Sequence, residues 1–99
     1  MALNTIILQG RLVKDPDLRC TTTGKKVCSF TIAVGRSFAK QGEERQTDFF
    51  DVVAWRGQAD FVSRFFRKGQ MIAVQGRMET RTYDDKNGVR RKAYTIVAE

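Results

Sequence analysis

The chain has no histidine, one proline, one tryptophan and two cysteines among its 99 residues. The missing histidine removes both the commonest general base and the commonest metal ligand. Ser29, Ser37 and Ser63 therefore have no imidazole to activate them. Cys20 and Cys28 lie outside Cys-x-x-Cys spacing and have no histidine to complete a donor set, so no metal is expected. There is no Gly-rich phosphate loop of the Walker kind. Asp15, Asp17, Asp48 and Asp51 show no spacing that demands a metal or an acid/base pair. The inventory points to a protein that is not an enzyme. The longest apolar run near the start, Ile6-Ile7-Leu8, is far too short for a signal-peptide core or a membrane span. No membrane partner is expected. Cys28, inside an apolar run, reads as a small buried hydrophobe and Cys20 as a strand residue, with reduced thiols suiting the cytoplasm; a disulfide between them stays open.

What the chain does have is positive charge: 18 Lys and Arg against 11 Asp and Glu, a net +7. That balance is the footprint of a polyanion ligand, although small basic proteins without a specific ligand share it. Hydrophobic residues at 41% and charged residues at 29% suit a folded globule. The length suits one domain, residues 1–99.

Along the chain the hydrophobic period is mostly two. Asn4 to Val13 reads as a strand with Gly10 at a bulge or bend, and Asp15-Pro16-Asp17 breaks it. Leu18 to Thr22 forms a short extension before a turn at Thr23-Gly24-Lys25. Lys26 to Phe38 is the second strand, with Cys28, Phe30, Ile32 and Val34 on its inner face. Ala39 to Arg45 is a polar loop. Thr47 to Trp55 is the third strand, with Phe50, Val52 and Ala54 inward. From Gly57 to Arg67 the period changes, and Ala59, Phe61, Val62, Phe65 and Phe66 fall at helical spacing, with Gly69 as C-cap. Gln70 to Tyr83 and Arg90 to Ala98 are the last strands, joined through an Asn87-Gly88 turn. Three strands, one helix and two strands make an all-β fold: a five-stranded Greek-key oligonucleotide-binding barrel (OB-fold) with one α-helix between strands 3 and 4. An open sheet packed by one helix is the alternative.

Binding an unpaired nucleic-acid strand requires flat rings for the bases and cations for the phosphates. Strand parity turns Phe49 and Trp55 away from the core face, about 20 Å apart along an extended chain. Buried packing aromatics are the competing reading. Arg77, Arg81 and Tyr83 repeat the mixture of cation and ring on the fourth strand, where Tyr83 equally suits cross-strand packing. Phe38, between Arg36 and Lys40, is a further candidate whose parity is inward unless the chain kinks at Gly35. Arg90-Arg91-Lys92 beside the hairpin turn suits a solvated hairpin.

Several segments, in order, resemble the bacterial single-stranded DNA-binding proteins: Ile6-Ile7-Leu8-Gln9-Gly10-Arg11-Leu12, Asp15-Pro16-Asp17-Leu18-Arg19, Phe30-Thr31-Ile32-Ala33-Val34, Gln46-Thr47-Asp48-Phe49, Val52-Val53-Ala54-Trp55, Arg67-Lys68-Gly69 and Val74-Gln75-Gly76-Arg77. The resemblance spans nearly the whole chain. It implies sequence-independent binding of single-stranded DNA, a homotetramer of such barrels, no cofactor, and stacking roles at Phe38, Phe49, Trp55 and Tyr83. Tryptophan is more usual in that family at several of these positions. Family members usually continue into a flexible linker and an acidic tip that recruits replication and repair enzymes. This chain stops at Glu99, and a trimmed or short form is expected to lack that recruitment. The expected mechanism is passive: Arg11, Arg36, Lys40, Arg56, Lys68, Arg77 and Arg81 draw in the phosphate backbone while rings hold the bases. An RNA-binding barrel of the cold-shock or translation-factor type is the main rival, and a purely protein-binding barrel the third class.

Overall fold

A computed structural model of the chain describes residues 2–37 and 40–99. Phe38 therefore lies outside the described residues. Seven elements follow in order: β1 (Ile6–Leu12), β2 (Asp17–Cys20), β3 (Lys26–Gly35), β4 (Thr47–Trp55), α1 (Arg56–Phe65), β5 (Met71–Asp84) and β6 (Arg90–Ala98). The strands form one sheet ordered β1-β5-β6-β4-β3-β2, and an additional β1–β3 pairing brings its ends together. Five strands thus close into a ring, the arrangement expected of an oligonucleotide-binding fold. The sixth, β2, is the short extension anticipated from Leu18 to Thr22. It occupies the first half of the β3 edge, Lys26 to Ser29, while β1 reaches that edge further on, at Ile32 and Ala33.

The ring exists because alternate residues of its strands are apolar. Cys28, Phe30 and Ile32 of β3 meet Val52 and Ala54 of β4, Ile72 and Val74 of β5, and Leu12 and Ile96, all within one buried cluster. Two strands must also approach others more closely than a side chain permits. A Cβ placed on Gly10 would come 2.5 Å from the Ala33 carbonyl oxygen, and one on Gly76 would collide with the Val97 backbone. Gly10 marks the place where β1 crosses β3, and so serves ring closure.

The helix packs less of itself inward than its periodicity suggests. Ala59 and Val62 are buried and Phe66 packs against the core, but Phe61 and Phe65 stay 54% and 65% exposed. Residues 59, 62 and 66 share one strip, and 61 and 65 fall on the next. The two outer rings instead pack against each other, tilted by 48° with 5.2 Å between centroids. The C-cap is also displaced from expectation. The helix ends at Phe66, whose amide donates to the Val62 carbonyl, whereas Gly69 sits in the following turn with its amide donating to the Leu12 carbonyl at 2.8 Å. That bond ties the turn to the ring.

At its other end the helix begins without a side-chain cap, because Trp55 occupies the capping position. Arg56 has φ of 56°, the left-handed region, which costs a residue with a Cβ about 1–2 kcal/mol. It is the only non-glycine with positive φ among the described residues. The chain leaves the sheet abruptly there. Cys28 is buried and Cys20 exposed, and both thiols are free, which closes the disulfide alternative.

Candidate nucleic-acid interface

β4 presents two different faces. Val52 and Ala54 are at most 1% exposed and Phe50 packs on the core, while Phe49 is 65% and Trp55 40% exposed. Nine residue pairs bind β4 to β3, from Val27↔Trp55 to Gly35↔Thr47, so the two outward rings stand on a well-paired ladder.

The register then decides which cations join them. Phe49 pairs with Ala33, and Ala33 pairs on its other side with Arg11. Phe49 and Arg11 are consequently two strand spacings apart in one outward row, about 10 Å. Arg11 borders a groove of about 500 Å³ with Ala33, Thr47 and Met71, and its guanidinium donates to the Gly69 carbonyl at 3.0 Å. Lys68, the neighbour of Gly69, is exposed, and its amide donates to the Asp15 carboxylate at 2.8 Å.

Around Trp55 the surface is furrowed on two sides. One furrow, about 170 Å³, is shared by Val53, Trp55, Glu79, Arg81 and Thr95. The Arg81 guanidinium lies over the Tyr83 ring, 5.2 Å from its centre, and Tyr83 is 43% exposed. The other furrow, about 450 Å³, lies between Trp55 and Arg56 on one wall and Thr21, Thr23 and Lys25 on the other. Nothing in the composition of Thr21 to Lys25 marked those residues as part of the site. Their place beside Trp55 depends on the Val27↔Trp55 register.

Not every cation singled out from the sequence is available in the same way. Arg36 donates twice to Asp48, at 3.0 and 3.1 Å, and these hydrogen bonds hold the Asp48 carboxyl below the ordinary aspartate range. Arg77 pairs with Glu79 at 2.8 Å and Glu99 at 3.8 Å. Arg90 and Arg91 pair with Asp84 and Asp85. Exposed pairs of this kind are weak, so their guanidinium groups exchange partners readily. Among the described residues, Lys40, Arg56, Lys68 and Arg81 take part in no ion pair. One acid interrupts the face: Asp51, on β4 between the outward rings, accepts a hydrogen bond from the Thr31 hydroxyl at 2.9 Å.

The described residues contain no cluster of three or more His, Cys, Asp or Glu side chains arranged for a metal ion. Among the described residues no helix is long and apolar enough to cross a membrane. A separate cleft of about 160 Å³ between α1 and β5, lined by Phe61, Val62, Phe66 and Ile72 among others, carries no cationic side chain.

The chain as a whole is similar to known proteins. The chain is 47% identical over 97 residues to "Single-stranded DNA-binding protein 2" of Listeria monocytogenes, covering 98% of this chain and 61% of that protein. It is 45% identical to "Single-stranded DNA-binding protein A" of Bacillus subtilis, over 98% of this chain and 56% of that protein. It thus spans about three-fifths of the length of these curated relatives. Among solved structures, "Plasmodium falciparum SSB complex with ssDNA" superposes with a TM-score of 0.88 at 28% identity, covering 99% of this chain and 88% of that one. The model of the single-strand binding protein family matches residues 3–99, and the chain belongs to that family.

Proposed function

We propose that residues 1–99 act as one single-stranded DNA-binding domain that coats its ligand without reading sequence. The carrying observation is the pair of solvent-facing rings, Phe49 and Trp55, on a strand whose opposite face is already filled by Val52 and Ala54. Unpaired bases lie flat on exposed rings, whereas a closed duplex keeps its bases stacked on each other. Tyr83 extends the ring set, and the resemblance adds Phe38. Arg11, Lys40, Arg56, Lys68 and Arg81 meet phosphates directly, and Arg36 and Arg77 do so by exchanging Asp48 and Glu79 for the nucleic acid.

The activity is binding and protection during replication, recombination and repair, not catalysis. The single-stranded DNA binding named for the bacterial relatives and the DNA-bound structural neighbour supports the binding reading; the setting is the cytoplasm of a bacterium, on the nucleoid. Recruitment of replication and repair proteins belongs to forms of the protein that carry an acidic C-terminal tail. The working assembly is a homotetramer. Supporting this, β1 pairs with β3 only at Arg11 and Leu12, leaving its Ile6 to Gln9 edge open beside an Ile7 that is 70% exposed. Open edges and exposed apolar residues favour pairing with a second copy.

Titration with a thymidine oligomer while following Trp55 fluorescence tests the reading. Quenching that saturates with the bound fraction, and an affinity that falls steeply with salt, are expected. Equal-length RNA outcompeting DNA would instead establish the cold-shock or translation-factor alternative.

A further inference from the structure

The furrow on the far side of Trp55 is built from the β2–β3 turn. Thr21 and Lys25 close that turn: the Thr21 amide donates to the Lys25 carbonyl at 2.8 Å, and the Lys25 amide donates to the Thr21 hydroxyl oxygen at 3.1 Å. Gly24, at φ +84°, donates its amide to the Thr21 carbonyl, and the Thr21 and Thr23 hydroxyls share a hydrogen bond of 3.0 Å. Lys25 thus rises from a rigid support. Its neighbour Lys26 reaches Asp60 of α1 at 3.4 Å, fastening the turn to the helix that forms the other side. Because β4 stops at Trp55 and the left-handed backbone of Arg56 carries the chain off the sheet, the turn has no strand beside it at this level. A furrow of about 450 Å³ remains.

Its walls hold two cations and two hydroxyls, and no carboxylate. Neither Lys25 nor Arg56 takes part in an ion pair among the described residues. Trp55 is the common wall between this furrow and the one that contains Arg81. A strand whose base lies on Trp55 must leave the ring on one side or the other. On the Arg81 side it meets Glu79 as well as the arginine; on the turn side it meets positive charge and hydroxyl donors only.

We propose that the furrow between Lys25 and Arg56 is a phosphodiester subsite, which takes the backbone phosphate next to the base stacked on Trp55 and so sets the direction in which the strand leaves that ring. Lys25 and Arg56 neutralise the phosphate, and the Thr23 hydroxyl donates to one of its oxygens. The proposal rests on the single-strand-binding reading above.

The test compares the salt dependence of thymidine-oligomer binding in the parent chain, Lys25→Ala and Arg64→Gln. The last removes the same charge from the solvent side of α1. Each neutralised phosphate contributes about 0.7 to the slope of log affinity against log salt on single strands. Lys25→Ala is expected to lower the slope by about that amount while Trp55 quenching at saturation is kept, and Arg64→Gln to leave the slope unchanged. An unchanged slope in Lys25→Ala, or an equal drop in Arg64→Gln, overturns the subsite while the parent still binds. A parent chain that fails to bind the oligomer overturns the broader reading instead. Thr23→Val, expected to weaken binding at all salt concentrations without changing the slope, separates the hydroxyl contribution from the charge.

Discussion

The guanidinium carbon of Arg81 lies 5.2 Å from the centre of the Tyr83 ring, two residues on along the same strand. One face of the tyrosine is thereby covered by a cation, and the ring offers a base its other face. Cation and ring act as one unit here, because the arginine both orients the ring and supplies the charge beside it. Arg81→Ala is expected to weaken binding by more than loss of one phosphate contact, with both a lower salt slope and lower affinity extrapolated to high salt. Arg81→Lys should restore the slope and only part of the affinity. Fluorescence titrations at several salt concentrations measure both quantities.

Trp55→Ala and Phe49→Ala should each cost about 1–3 kcal/mol of binding, roughly 5- to 150-fold in affinity, since each removes a stacking surface. Because both rings point away from the buried cluster, thermal stability should change little in either variant. Loss of folding in place of loss of binding would show that the rings serve packing.

Asp51 occupies the outward face between those rings and accepts from Thr31. Its charge opposes an arriving phosphate. Asp51→Asn keeps an acceptor for the Thr31 hydroxyl and removes the repulsion, so tighter single-strand binding is expected at low salt, with the gain fading as salt screens it. Equal affinities at low salt would place the phosphate path away from Asp51.

The two thiols should differ in reactivity. Burial pushes the Cys28 thiol above its ordinary value, with the Asp17 charge adding to the effect, while Cys20 is exposed. At mildly alkaline pH, iodoacetamide should add once to the folded chain, at Cys20, and twice after unfolding. Peptide mass mapping identifies the site.

Asp85 organises the β5–β6 turn: its carboxylate accepts from the Arg91 side chain and from the amides of Val89 and Asn87. The Arg91 bond first, and the amide bonds after it, hold its carboxyl below the ordinary range. A depressed folded value means that this stabilisation is fully present above the unfolded value, about 3.9, and is lost as pH falls through the lower folded one. The protection of the Asn87 and Val89 amides, taken as the ratio of intrinsic to observed exchange rate at each pH, should therefore fall on acidification below pH ~4. Asp85→Asn should exchange faster at neutral pH and show a weaker acid dependence.

Much of this molecule was legible from alternation alone. Cys28, Phe30 and Ile32, and Val52 and Ala54, are buried as a period of two requires, and the strand order with one helix before the last two strands identified the closed ring. What remained hidden depended on contacts between distant segments. The inward strip of α1 is set by how the helix is rotated against the ring, which turns Ala59, Val62 and Phe66 inward and leaves Phe61 and Phe65 outside. Gly69 looked like a helix cap because a glycine after an amphipathic run usually is one, yet its role is to meet the Leu12 carbonyl. The pairing of Arg36 with Asp48 follows from the Val34↔Asp48 register. The approach of Lys25 to Trp55 has the same origin, since composition carries no register information.

The ring is joined unevenly. Two residue pairs connect β1 to β3 and two connect β4 to β6, against nine between β3 and β4 and nine between β5 and β6. Thermal breathing should therefore open the two short seams first, letting β1, β5 and β6 move as one body against β3 and β4. The long ladder that carries Phe49 and Trp55 would stay intact through such openings, so the platform for the bases is mechanically insulated from the part of the molecule most prone to fluctuate.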